Sequence, residues 1–153
     1  MLAGIVGELS GRFGTPLFAP HLTLQGDTET TPELLRQAIT AAAGAVEAFT
    51  EPVSAVEGSD AYFRSFYARF AVSPALAKLK QSLDPDGFAS FMPHASLLYG
   101  EVEAGVKAAA IAEINARLAG RAIRFDRVGI VTSGQDVPIA DWQVVASVAL
   151  RSA

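Results

Sequence analysis

An α+β fold of two pseudo-symmetric lobes is what this sequence predicts, with an antiparallel sheet in each lobe and helices covering its outer side. Two observations carry that expectation. A short segment occurs twice, and helical and strand-like runs flank both copies in the same order. Residues 18–26 read FAPHLTLQG and residues 91–100 read FMPHASLLYG, so both fit F-x-P-H-x-[ST]-L followed by a glycine. The only two histidines in the chain, His21 and His94, take the same place in each copy, and each has a hydroxyl residue two positions later.

The elements follow in order. Leu2, Ile5, Val6, Leu9 and Phe13 fall at helical spacing, and Gly14 is placed to end that helix. The first histidine segment, 18–26, reads as a strand. Thr31-Pro32-Glu33 supplies an N-cap and a proline at the first helical position, opening an Ala-rich helix that is expected to run to about Phe49. Strand-like runs follow at 52–58 and 62–72. Leu76, Leu79, Lys80 and Leu83 mark a helix opened by Ser73-Pro74 and closed near Asp84-Pro85-Asp86-Gly87. After the second histidine strand comes a helix over 102–118, stopped by Gly120, then strands over 122–131 and 142–150. In the last of these Trp142 opens the strand as a core residue, and Val144, Ala146, Val148 and Leu150 alternate inward.

One domain over residues 1–153 is expected, with a first lobe of about 1–60 and a second of about 61–153, exchange of strands between them being left open. The repeat is imperfect. The first copy begins directly with its helix and has no counterpart of the 62–72 strand. An unpaired sheet edge there would favour pairing between chains, and the oligomeric state is not readable.

Composition narrows the function classes. With 153 residues, half of them hydrophobic, the chain can bury a sizeable core. No apolar run approaches the ~20 residues that span a bilayer, and the N-terminus lacks the pattern of a secretion signal. A soluble cytoplasmic protein is the expectation, with no membrane partner. Zero cysteines exclude disulfides, thiolate metal sites and cysteine nucleophiles. The net charge is −4, and the 12 lysines and arginines are scattered, which argues against a duplex nucleic acid as partner. A small phosphorylated ligand, or one RNA end, fits better.

The chemistry rests on strand geometry. Residues i and i+2 of a strand share a face, so His21 projects with Thr23 and His94 with Ser96. Leu22, Leu24, Ala95 and Leu97 then face the covering helices. Two imidazoles with unperturbed pKa near ~6.5 can act as base and acid together around neutral pH. Two hydroxyls beside them can donate to phosphate oxygens as charge develops. A lone histidine in an apolar strand is more often a packed residue, but packing alone does not require both histidines and both hydroxyls. Zinc fits poorly, because two histidines without cysteine or a spaced carboxylate leave a site incomplete. No cofactor pattern and no Gly-rich phosphate loop occurs.

His21-Leu22-Thr23 and His94-Ala95-Ser96 resemble the paired H-x-[ST] motifs of the 2H phosphoesterase superfamily. The extended segments PHASLLYG and RFGTPLFAPHLTLQG are similar to its cyclic phosphodiesterase branch, over most of the chain from Met1 to about Leu150. The resemblance implies a bilobal pseudo-twofold fold around a water-filled cleft. It implies metal-independent hydrolysis of 2′,3′-cyclic nucleotides, or of ADP-ribose 1″,2″-cyclic phosphate, to monophosphates. It also implies His21 as acid and His94 as base. RNA-end ligases and 2′,5′-phosphodiesterases share the two motifs, so RNA end processing stands as an alternative. Members of the branch usually begin with an aromatic-bearing strand, the one the first copy lacks, which keeps open a binding module that turns nothing over.

Beyond the four motif residues the readings divide. The resemblance places Tyr99 near the substrate, and a rim aromatic is its structural alternative. Along 62–72, Tyr62, Phe66, Ala68 and Phe70 form an apolar face, while Phe63, Ser65, Tyr67 and Arg69 form a mixed one suited to a wet cleft. Phe63 or Tyr67 stacking on a base is set evenly against cross-strand packing. Arg64 and Arg69 could pair with phosphate, but read first as solvated edge residues.

Overall fold

The computed structural model describes all 153 residues, and the fold is α+β with antiparallel sheets. Along the chain run α1 (Leu2–Phe13), α2 (Pro32–Gly44), β1 (Phe49–Pro52), β2 (Ala55–Gly58), β3 (Phe66–Arg69), α3 (Pro74–Leu83), β4 (His94–Leu98), α4 (Ala104–Leu118), β5 (Ala122–Phe125), β6 (Arg127–Thr132) and β7 (Gln143–Ala149). Strands order as β2-β3-β4, β1-β5 and β6-β7. No helix is long and apolar enough to cross a membrane.

Two compact units divide the chain, each assembled from three segments. The first takes Met1–Thr23, Pro52–Ala71 and Met92–Ile123, and the second takes Leu24–Glu51, Val72–Phe91 and Arg124–Ala153. The units therefore do not follow the two halves of the sequence at 1–60 and 61–153. Each unit draws segments from both halves of the sequence.

In the first unit, α1 packs against β4 and α4 against β2. The apolar spacing of α1 works as expected: Leu2, Ile5, Val6 and Leu9 are buried, and Gly14 ends the helix in the left-handed region at φ 67°. From α4, Ala110, Ile114 and Leu118 are buried, and Glu103 caps its first turn by accepting from Gly105 N and Val106 N. Arg117 forks onto Glu8 at 2.8 and 2.9 Å, tying α1 to α4 on the surface. Gly58 lets α4 come close: a Cβ there would lie 2.6 Å from Ile111 Cδ1 and 2.8 Å from Ser65 O. Asn115 Oδ1 accepts the Val56 N–H, satisfying a donor on the β2 edge.

The second unit is organised around Ile39, Ala42, Ala43, Val46, Leu79, Val128 and Leu150, where α2 meets α3 and the β6–β7 ribbon. Thr31 and Ser73 cap α2 and α3 as their sequences indicate, each accepting from the backbone N–H three residues on. Lys80 is nearly buried, and its ammonium donates to Leu24 O and Asp84 Oδ2, both at 2.7 Å, while lying over the Phe91 ring. That ion pair holds the Asp84 carboxyl below its usual range.

Several elements depart from the sequence expectation. Helix α2 stops at Gly44 instead of continuing to about Phe49, and Phe49 instead enters β1 and stacks on Phe125 at 5.4 Å. The run 62–72 is not one strand. Residues Tyr62–Arg64 make a 3₁₀ turn, because Ser59 bonds Arg64 O through its hydroxyl and Ser65 O through its backbone, and only Phe66–Arg69 pairs. The first histidine segment forms a single bridge, Leu22 with Ala95, not a ladder over 18–26. One reason is that the Leu24 carbonyl is taken by Lys80. In β7, Val144 is 63% exposed and not inward, past an irregularity opposite Ile130 and Val131. Trp142 is half-buried, with its indole N–H on Val137 O at 3.0 Å.

Candidate active site

Both histidine motifs lie within the first unit. Strand β4 pairs antiparallel with β3, and Leu22 bridges Ala95 antiparallel on its other side. That single bridge fixes the register: counting outward from it, His21 stands opposite Ser96 and Thr23 opposite His94. Opposed residues of an antiparallel pair share a face, as do residues i and i+2. All four side chains therefore lie on one face, with Leu22 and Ala95 on the other. Ala95 and Leu97 are buried in the apolar layer, whereas His21 and His94 are half-buried and Thr23 is exposed.

Each imidazole is anchored the same way. His21 Nδ1 lies 2.9 Å from Ala19 O, and His94 Nδ1 lies 2.8 Å from Met92 O. A carbonyl can only accept, so Nδ1 carries the hydrogen in both rings. The F-x-P-H pattern builds this anchor, since the residue between Phe and Pro supplies the carbonyl and proline holds the backbone extended.

The hydroxyls differ in setting. Ser96 is 5% exposed, donates to Phe63 O at 3.3 Å, and hydrogen-bonds the Tyr99 side chain. Tyr99 is 4% exposed, with its ring against Phe18 at 4.1 Å and Phe63 at 5.3 Å. Burial pushes its phenol above the ordinary range, and the Ser96 hydrogen bond opposes this. Tyr99 is thus a buried ring packed between Phe18 and Phe63. Phe63 sits on the 3₁₀ turn with Tyr62 edge-on at 4.9 Å, and completes an aromatic row running Tyr62, Phe63, Tyr99, Phe18.

Tyr67 is 6% exposed and packs edge-on against the His94 ring at 5.2 Å and 66°. Its hydroxyl donates to Glu57 Oε2 at 3.2 Å. Burial raises its pKa, and the neighbouring Glu57 charge adds to this. The ring is engaged in cross-strand packing rather than presented to solvent. Glu57 also pairs with Arg69, which stands opposite His94 in the register. Glu57 was not legible as a partner of Tyr67 and Arg69, because nothing in its local sequence says which strand it will face. The sequence sets Arg69 on the mixed face with Tyr67, two residues away, and leaves it between phosphate pairing and a solvated edge.

No three histidine, aspartate or glutamate side chains gather into a metal-ligand group. In comparisons with known proteins, no family model and no curated protein matches this chain.

Proposed function

We propose that this chain is a cyclic phosphodiesterase of the 2H phosphoesterase kind. It hydrolyses a small 2′,3′-cyclic nucleotide, or ADP-ribose 1″,2″-cyclic phosphate, to a monophosphate, using two histidines and no metal. The observation that carries this reading is the Leu22–Ala95 bridge, because its register brings His21, Thr23, His94 and Ser96 onto one sheet face. The Nδ1 anchors support it, since a backbone carbonyl orients both rings in the same way.

In the reaction, His94 Nε2 takes a proton from water, and the water oxygen forms a bond to phosphorus. The bond from phosphorus to one ring oxygen breaks, and His21 Nε2 gives its proton to that departing alkoxide. The product is a phosphate monoester beside a free hydroxyl. Thr23 donates to a non-bridging oxygen, where negative charge grows, and Ser96 does the same once its hydroxyl turns from the Phe63 carbonyl to the phosphate. The acid and base are exchanged in protonation state afterwards, and solvent resets them.

Turnover of 2′,3′-cyclic nucleotides in excess chelator, followed by phosphorus NMR, tests the reading. A monophosphate signal is expected from the wild type and none from His21→Ala or His94→Ala. An inert wild type that still binds the nucleotide would overturn it in favour of a binding module.

A further inference from the structure

Three side chains beyond the two motifs form a connected group on the same face of β2-β3-β4. Glu57 Oε1 meets Arg69 Nη1 at 3.3 Å, and Glu57 Oε2 receives the Tyr67 hydroxyl at 3.2 Å. The register places Arg69 opposite His94, Tyr67 opposite Ser96, and Glu57 opposite Tyr67. Opposed residues have Cα atoms about 4.5–5.5 Å apart and side chains on one face, so a guanidinium lies within its own reach of the His94 imidazole.

The hold on that guanidinium is loose. Arg69 and Glu57 side chains are 43% and 33% exposed, and their ion-pair contact is 3.3 Å long. A half-solvated ion pair contributes little. A planar guanidinium forked onto two phosphate oxygens makes two charge-assisted hydrogen bonds and is far stronger. Glu57, by contrast, is fixed by a second partner, Tyr67, which is itself locked against His94. The carboxylate therefore stays in place while the longer arginine side chain can move.

We propose that Arg69 is an anion-binding residue of the two-histidine site, held in reserve by Glu57 until a phosphate group bearing two exposed oxygens draws it across. This rests on the phosphodiesterase reading for the location of the phosphate, and it names the feature of the substrate that the site recognises. Thr23 and Ser96 supply one donor each, His21 carries one positive charge as the acid, and Arg69 adds a second positive charge opposite the neutral base His94. Glu57 restrains binding, because each bound phosphate must displace it.

Calorimetric titration with inorganic phosphate at fixed ionic strength tests this on the wild type, Arg69→Gln, Glu57→Gln and the double variant, with thermal melts confirming that each folds. Arg69→Gln should weaken phosphate binding about tenfold or more, Glu57→Gln should tighten it several-fold, and the double variant should match Arg69→Gln. An Arg69→Gln affinity within about twofold of wild type overturns the proposal, as does weaker binding by Glu57→Gln or no binding by the wild type. Hydrolysis of the cyclic nucleotide on the same samples keeps the two readings apart. Wild-type hydrolysis with Arg69-independent phosphate binding removes Arg69 alone, whereas Arg69-dependent binding without hydrolysis removes the phosphodiesterase alone.

Discussion

Thr23 and Ser96 occupy equivalent motif positions, but their surroundings give them different second duties. Thr23 is exposed, so its side chain can serve a ligand without serving the fold. Ser96 is buried, bonded to the Phe63 carbonyl and backed by Tyr99. Thr23→Val should therefore lower kcat by about 10²-fold, the cost of one donor to a developing charge, with an unchanged melting temperature. Ser96→Ala should lower kcat similarly and also destabilise the fold by about 1 kcal/mol, because the Phe63 carbonyl loses its hydroxyl partner. Steady-state kinetics paired with thermal melts separate the two. At this scale the sequence was informative where chemistry repeats: a histidine, a hydroxyl two positions on, and a preceding proline are legible without coordinates. The contacts of Glu57, Tyr67 and Tyr99 were not, since each depends on which side chain stands nearby in the fold.

Among the elements, helix ends were more legible than strand ends. Caps are local, and Thr31-Pro32, Ser73-Pro74, Gly14 and Gly120 announce α2, α3, α1 and α4 within a few residues. Strand limits depend on partners far along the chain. Ser59 turns Tyr62–Arg64 into a 3₁₀ turn, and Lys80 takes the Leu24 carbonyl, so two runs with strand-like composition pair over fewer residues than they could. Gly58 shows the same dependence in reverse, because its need for a missing Cβ is set by Ile111 on α4 and by the Ser65 carbonyl. The isoleucine tip can rotate away, but the backbone oxygen cannot. Gly58→Ala is thus expected to destabilise the protein by about 1–3 kcal/mol, read as a lowered urea midpoint with an unchanged slope. An unchanged midpoint would mean that α4 is not held against β2 as closely as described.

For the whole molecule, the sequence halves and the compact units are different partitions. The sequence repeats as two consecutive copies, yet the first unit collects both histidine motifs from segments about 70 residues apart. A duplication is legible as a period along the chain, but the exchange of segments between units is a long-range property that no local pattern encodes. The consequence for function is direct. Because the His21 segment bridges the strand that carries His94 within one unit, their relative placement rests on the Leu22–Ala95 bridge and on the α1 packing behind β4.

That placement predicts how the histidines behave together. Two groups acting in the same step as base and acid form one device, so losing either should cost nearly as much as losing both. The deciding measurement is kcat for 2′,3′-cyclic nucleotide hydrolysis by the wild type, His21→Ala, His94→Ala and the double variant. Each single variant should lose about 10²–10⁴-fold, and the double variant should fall little further. A single variant that keeps near wild-type kcat would contradict the two-histidine account.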